Sequence, residues 1–232
     1  MIQVNDLSFR YDEKLVLHNL QLEIKVGSFT AIVGANGSGK STLAKQFNAL
    51  LLPSEGDVLI DGINTKKNQF EVRKKVGFVF QNFEDQIVYP IVAEDIGFGL
   101  ENLELKSSEI KKINDQVVER LRIAHLVSMN VNSLSLGQKQ LVALAGVLAM
   151  KPKYIVFDEP TTMLDATNKK NILSVMKELN EKDGLTIIMV TNVLEDLDYA
   201  GDVIVLRDGR VIFHGARRLV NKDLLLEAGL YV

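Results

Sequence analysis

The run Gly34, Ala35, Asn36, Gly37, Ser38, Gly39, Lys40, Ser41, Thr42 constrains this chain more than any other stretch. It has the spacing G-x-x-x-x-G-K-S/T, follows an apolar run over residues 29–33 and precedes a helical pattern over 43–51, so it reads as strand, glycine loop, helix. The spacing has a mechanism. Glycines let backbone N–H groups curl around phosphate oxygens, Lys40 reaches the outer phosphates, and the Ser41 hydroxyl is placed to ligate Mg²⁺. The helix that follows points its positive end at the same anion. These nine residues are therefore the candidate nucleotide-binding set.

Alternation at Ile2, Val4, Leu7 and Phe9 and again at Leu20, Leu22 and Ile24 predicts two half-buried antiparallel strands joined through 11–14. Pro53 ends the first helix. A hairpin is expected around Asp61-Gly62, a short helix over 70–75, and a strand over 76–80 that stops at Gln81. Residues 82–150 carry helical spacing and no good strand. One helix there starts at Ser107-Ser108, and a second is opened by a capping box, Ser135 with Gln138, and closed by Pro152. Beyond it, residues 154–157 form an apolar run without alternation, as a strand covered on both faces would, and the run ends in Asp158-Glu159. A helix capped by Asp165, a strand over 186–190, a short helix, a hairpin around Asp208-Gly209 and an apolar stretch over 224–232 complete the chain. Strands alternating with helices imply an α/β fold with a parallel sheet.

An acid at the end of a buried strand can hold Mg²⁺ directly or through water, and in a chain that already carries a phosphate loop this assigns Asp158 to Mg²⁺ alongside Ser41. Glu159 is then placed to orient or deprotonate an attacking water. The net charge of −3 argues against nucleic acid as a partner, since that partner is held through phosphate neutralisation. The chain has no cysteine, so it has no disulfide framework and no thiol chemistry, consistent with a reducing cytoplasm. His18, His125 and His214 lie too far apart in sequence to suggest a metal site. The longest strongly apolar stretch, residues 141–150, is far shorter than the roughly 20 residues that cross a bilayer. No signal pattern opens the chain, so it is expected to reach a membrane only by docking on something that spans it.

With these residues in this order the chain resembles the ATP-binding cassette (ABC) ATPases over nearly its whole length. Leu134-Ser135-Leu136-Gly137-Gln138 is similar to their signature, LSGGQ. The resemblance implies an ABC-type nucleotide-binding domain over 1–232, with 1–81 and 151–232 as core, an antiparallel β subdomain, and 82–150 as an inserted helical subdomain bearing the signature. It implies binding of ATP with Mg²⁺ and hydrolysis. Tyr11 takes the place of the aromatic that stacks on adenine, Gln81 that of the loop glutamine that senses metal and γ-phosphate, and Leu164-Asp165 that of the loop crossing a dimer interface. Such ATPases work as head-to-tail dimers, in which Ser135, Gly137 and Gln138 of one chain would meet the nucleotide held by the other.

A narrower resemblance lies in residues 81–88, QNFEDQIV, with EDIGFG at 94–99 and EN at 101–102. These are similar to segments of energy-coupling factor (ECF) transporter ATPases, including those of cobalt and nickel uptake, where the region lines the groove that receives a membrane subunit. This implies a peripheral ATPase on the cytoplasmic face of a membrane, energising uptake of a vitamin or metal ion. Its partners would be a second, non-identical ATPase, a transmembrane coupling subunit and, indirectly, a substrate-binding membrane subunit. Phe83, Asp85 and Gln86 are expected to border the groove.

Two departures from the pattern matter. Asn192 stands where the family has its switch histidine, and Leu136 replaces the first signature glycine. Asn192 motivates one alternative, a degenerate partner in a heterodimeric ATPase. A soluble ABC ATPase outside transport is another.

Overall fold

The structure is a computed structural model, and it describes residues 1–230. Of the apolar C-terminal stretch, Tyr231 and Val232 lie outside the described residues.

Two sheets organise the chain. Strands β1 (Ile2–Tyr11) and β2 (Lys14–Ile24) pair antiparallel, and β1 also pairs antiparallel with β4 (Glu55–Ile60), which turns through Asp61-Gly62 into β5 (Ile63–Asn64). Together they form a four-stranded sheet in the order β2-β1-β4-β5. The second sheet has β3 (Phe29–Val33) at its centre, with β6 (Val76–Val79), β7 (Tyr154–Asp158), β8 (Thr186–Thr191), β9 (Asp202–Arg207) and β10 (Arg210–Ala216) in the order β10-β9-β3-β8-β7-β6. All its pairings are parallel except β9 with β10.

Parallel strands covered on both faces are near-continuous apolar runs, and β3, β7 and β8 are buried throughout. Alternate side chains enter two separate cores. Ile155, Phe157, Ile187 and Met189 face the core filled by the helices, whereas Tyr154, Val156, Ile188 and Val190 face the core shared with the antiparallel sheet. Helices α1 (Lys40–Phe47) and α2 (Gln69–Lys75) contribute to the second core. Helices α3 (Val92–Glu101), α4 (Ser107–Leu121), α5 (Leu136–Ala149), α6 (Ala166–Glu181) and α7 (Lys222–Glu227) contribute to the first. No helix among the described residues is long and apolar enough to cross a membrane.

Several local expectations shift. The first helix stops at Phe47 and not at Leu51, because Ala49 enters the left-handed region (φ 57°) and Asn48 Oδ1 accepts from Leu50 N. Strand β2 begins at Lys14, taking in Leu15 and Val16 that local alternation does not mark. Helix α4 starts at Ser107, but no serine hydroxyl caps it: Glu109 reaches back to the N–H of Lys106. The strand read over 76–80 ends one residue early, where Phe80 N turns to Gln86 Oε1.

Phe83 was expected at a groove edge. Instead it opens a 3₁₀ turn, Phe83–Asp85, that packs on α5, and its side chain is 2% exposed. Phe83→Ala should therefore cost about 3 kcal/mol of stability, as truncation of a buried aromatic does, measured by urea unfolding. A loss below about 1 kcal/mol would mean that the site collapses around the gap.

Candidate nucleotide site

The glycine loop sits between β3 and α1, at the end of β3 where the two sheets meet. A cavity of about 580 Å³ opens there, lined by Asn36, Gly37, Gly39, Lys40, Ser41 and Thr42 of the loop, by Glu159, and by Tyr11, Lys14, Leu15, Val16 and His18 of the antiparallel sheet. Asp208 and Gly209, the turn between β9 and β10, close one side. A volume of this order suits a small-molecule site. Tyr11 is 46% exposed at this wall and is braced edge-on by Phe9, with centroids 4.8 Å apart, so a broad apolar face borders the cavity.

Gly34, Ala35 and Ser38 do not line this cavity; they shape the loop behind it. Gly34 has φ 155°, and a Cβ there would stand 2.2 Å from the carbonyl oxygen of Leu206, so only glycine fits. Lys40 is buried and folds back over the loop. Its Nζ donates to the carbonyl oxygens of Gly34 (2.9 Å) and Ala35 (3.0 Å). Burial pushes the Lys40 ammonium below its usual range, while Glu159 and Asp158 pull the other way.

Three other expected site residues join the cavity through hydrogen bonds. Asp158 Oδ1 accepts from the Ser41 hydroxyl at 2.7 Å. Burial raises the Asp158 carboxyl, against that bond and the charges of Lys45 and Lys40. Gln81 Nε2 donates to Glu159 Oε2 at 3.0 Å, and Thr162 Oγ1 donates to the same oxygen at 3.2 Å. Glu159 has φ 49°, a left-handed conformation costly for a side chain of this kind, held by its N–H on Val190 O at 2.9 Å. Such strain, on the order of 1–3 kcal/mol, persists only where surrounding contacts over-determine it. Asn192 Nδ2 donates to Asn36 Oδ1 at 3.3 Å.

Ser135, Gly137 and Gln138 stand elsewhere. Ser135 Oγ accepts from Gln138 N and Gln138 Oε1 from Ser135 N, a complete capping box at the start of α5. No residue of 134–138 lines the loop's cavity; Gly137 and Gln138 border a second one, between α4, α5 and α6. Asp165 caps α6 by accepting from the N–H groups of Thr167 and Asn168.

Local pattern missed His18, Asp208 and Gly209. The Asp-Gly turn signal was visible, but not that the turn lands on the loop, where Gly209 N donates to Ser38 O and Gly209 O accepts from His18 N. Asp95 was missed as well. It is buried, and its Oδ1 accepts from the N–H groups of Val88 and Tyr89, fixing the segment after Gln86.

An apolar groove of about 330 Å³ lies on another face, bordered by Leu50, Phe80, Gln86, Phe98, Val147 and Met150 among others. Gln86 fastens it to α5, donating to Ala143 O at 3.2 Å.

Known proteins resemble this chain in sequence and in fold. Residues 17–162 match the family model described as ABC transporter. The energy-coupling factor transporter ATP-binding protein EcfA1 of Clostridium novyi (strain NT) is 41% identical, over all of this chain and 86% of that protein. EcfA1 of Clostridioides difficile (strain 630) is 42% identical, over all of this chain and 87% of its own length. Among solved structures, cbiO1 from Clostridium perfringens, part of the ABC transporter complex cbiONQ, superposes with a TM-score of 0.87 at 36% identity, covering all of this chain and 95% of that one. The dimeric cassette MJ0796, bound to ADP and Pi after hydrolysis, superposes at 0.83 with 31% identity, over 95% of this chain and all of that one. A cassette that agrees with these proteins across its length belongs with them: the chain is a member of the ABC transporter family, an ATP-hydrolysing subunit that resembles the ATPases of energy-coupling factor transporters.

Proposed function

We propose that this subunit drives an ECF-type importer of a micronutrient such as a vitamin or metal ion, working peripherally on the cytoplasmic face of the membrane. Residues 1–81 and 151–232 serve as the catalytic core and 82–150 as a helical subdomain that carries the signature, and the docking surface is the groove that the two share. The observation that carries this reading is a short physical path between groove and cavity. Gln86, at the groove, holds Phe80 N; the next residue, Gln81, holds Glu159 in the nucleotide cavity. A membrane subunit seated in the groove would thus press on the segment that holds Glu159.

In this reading Lys40 and the loop amides bind the ATP phosphates, Tyr11 stacks on the base, and Glu159 accepts a proton from the attacking water. Mg²⁺ fits the hard oxygen donors present: Ser41 Oγ and Asp158 Oδ1 lie together, with the Gln81 amide oxygen outside its bond to Glu159. Mg²⁺ would supply charge neutralisation at the phosphates. Because the signature lies off this chain's own cavity, a second ATPase presents its signature there and receives Ser135, Gly137 and Gln138 in return. A preformed capped helix start suits that anion-facing role.

Leu50 is 41% exposed in the groove. Leu50→Glu would place a charge on an apolar docking surface, at a cost on the order of 2–4 kcal/mol to association. The expected result is loss of co-purification with the membrane subunit, at least 10-fold, with ATP binding unchanged. A variant that co-purifies like wild type would remove the groove from the argument.

A further inference from the structure

The segment after α7 lies against the back of the glycine loop. Ala35 N donates to Ala228 O at 3.2 Å, and a Cβ built on Gly229 would stand 3.2 Å from the Cβ of Ala35. Arg207 pairs with Glu227 at 3.6 Å beside the same contact, and Ala35 to Ser38 face residues 226–229 across a cleft of about 350 Å³.

The importance of this contact comes from one peptide unit. The N–H of Ala35 and the C=O of Gly34 belong to the same rigid plane. Ala228 O holds the N–H, and the C=O accepts from Lys40 Nζ at 2.9 Å. The other Lys40 bond goes to Ala35 O, which also accepts from Ser38 N at 3.1 Å. Tilting the Gly34–Ala35 plane therefore moves Lys40's acceptor directly, and hydrogen bonds in series polarise one another.

We propose that residues 225–230 form a positioning strap, which sets the Gly34–Ala35 peptide and through it the placement of Lys40, so that ordering of this segment and nucleotide affinity are linked. The inference rests on Lys40 meeting phosphate, as in the function proposed above. Linkage is reciprocal: a strap that strengthens ATP binding by some factor must itself be stabilised by ATP by the same factor.

Gly229 has φ +75°, so Gly229→Val adds backbone strain and pushes a side chain at Ala35. Gly184→Val is the control: φ there is +69°, with nothing within 4 Å, so it carries comparable strain away from the loop. MgATP titration of the full chain should show an affinity about 10-fold weaker for Gly229→Val and unchanged for Gly184→Val. In the wild type, amides 225 and 228 donate to Asn221 O and Leu224 O of the preceding turn and amides 229 and 230 to Leu226 O and Leu225 O, so their hydrogen exchange reports opening of the segment. ATP should slow that exchange about 10-fold, a measurement that needs no variant to fold. Equal affinities in the two variants, or exchange at 225–230 indifferent to ATP, would overturn the strap while Lys40→Ala still abolished binding. If Lys40→Ala bound ATP normally, the strap and the reading beneath it would both fall.

Discussion

Glu159→Gln is expected to leave ATP affinity near wild type, cut turnover by about 10²- to 10⁴-fold and hold an ATP-bound dimer together. The substitution keeps the shape of the side chain and an oxygen that can accept from Gln81 and Thr162, the two donors on Glu159 Oε2. It removes only the carboxylate that would take a proton from water. The left-handed backbone at 159 and its N–H bond to Val190 O belong to the main chain, so the residue's aim should persist. Turnover is measured by phosphate release, and the dimer by gel filtration with and without ATP. Wild-type turnover would mean that the water is activated elsewhere, and the catalytic role assigned to Glu159 would be withdrawn.

That carboxylate was legible in the sequence because chemistry and local pattern coincide there: a continuous apolar strand ends in two acids, and strand ends point into α/β sites. The same holds for the glycine loop and for the helix caps at Ser135 and Asp165, whose signals are local in the sequence. What pattern reading could not supply was destination. Nothing in residues 208–209 says that their turn presses on Ser38, nor in 228 that its carbonyl takes the N–H of Ala35; these bonds join positions more than 150 residues apart. Strand order is of the same kind, since β3 is flanked by β8 and β9, far along the chain. Phe83 shows the reverse failure. A family-like stretch suggested a surface role, but a large apolar side chain gains more by burial, and packing decided its place.

Asn192→His is expected to raise ATP turnover of the purified chain by about 10- to 100-fold. Asn192 stands next to this chain's own loop through Asn36, where the resemblance places a histidine. An asparagine amide can donate a hydrogen bond to a phosphate oxygen, but it carries no positive charge and shuttles no proton. Losing one transition-state donor typically costs roughly 2.7–4 kcal/mol, and asparagine should recover part of that, which sets the expected gain below the full 10³. Leu136, 43% exposed beside Ser135, would instead face the nucleotide held by a partner, because its helix start does not line this chain's own cavity. In a pair of unlike ATPases the two departures therefore fall in different sites, whereas in a homodimer both fall in every site. The purified chain alone should accordingly be slow and gain from histidine. Co-expression with a second ATPase that keeps both the histidine and the signature glycine should yield a faster complex, with hydrolysis limited by the site built on Lys40 of this chain. Phosphate release from the chain, the variant and the complex at one MgATP concentration distinguishes these cases. A fast homodimer that histidine does not improve would sink the unequal pair and leave Asn192 as a tolerated replacement.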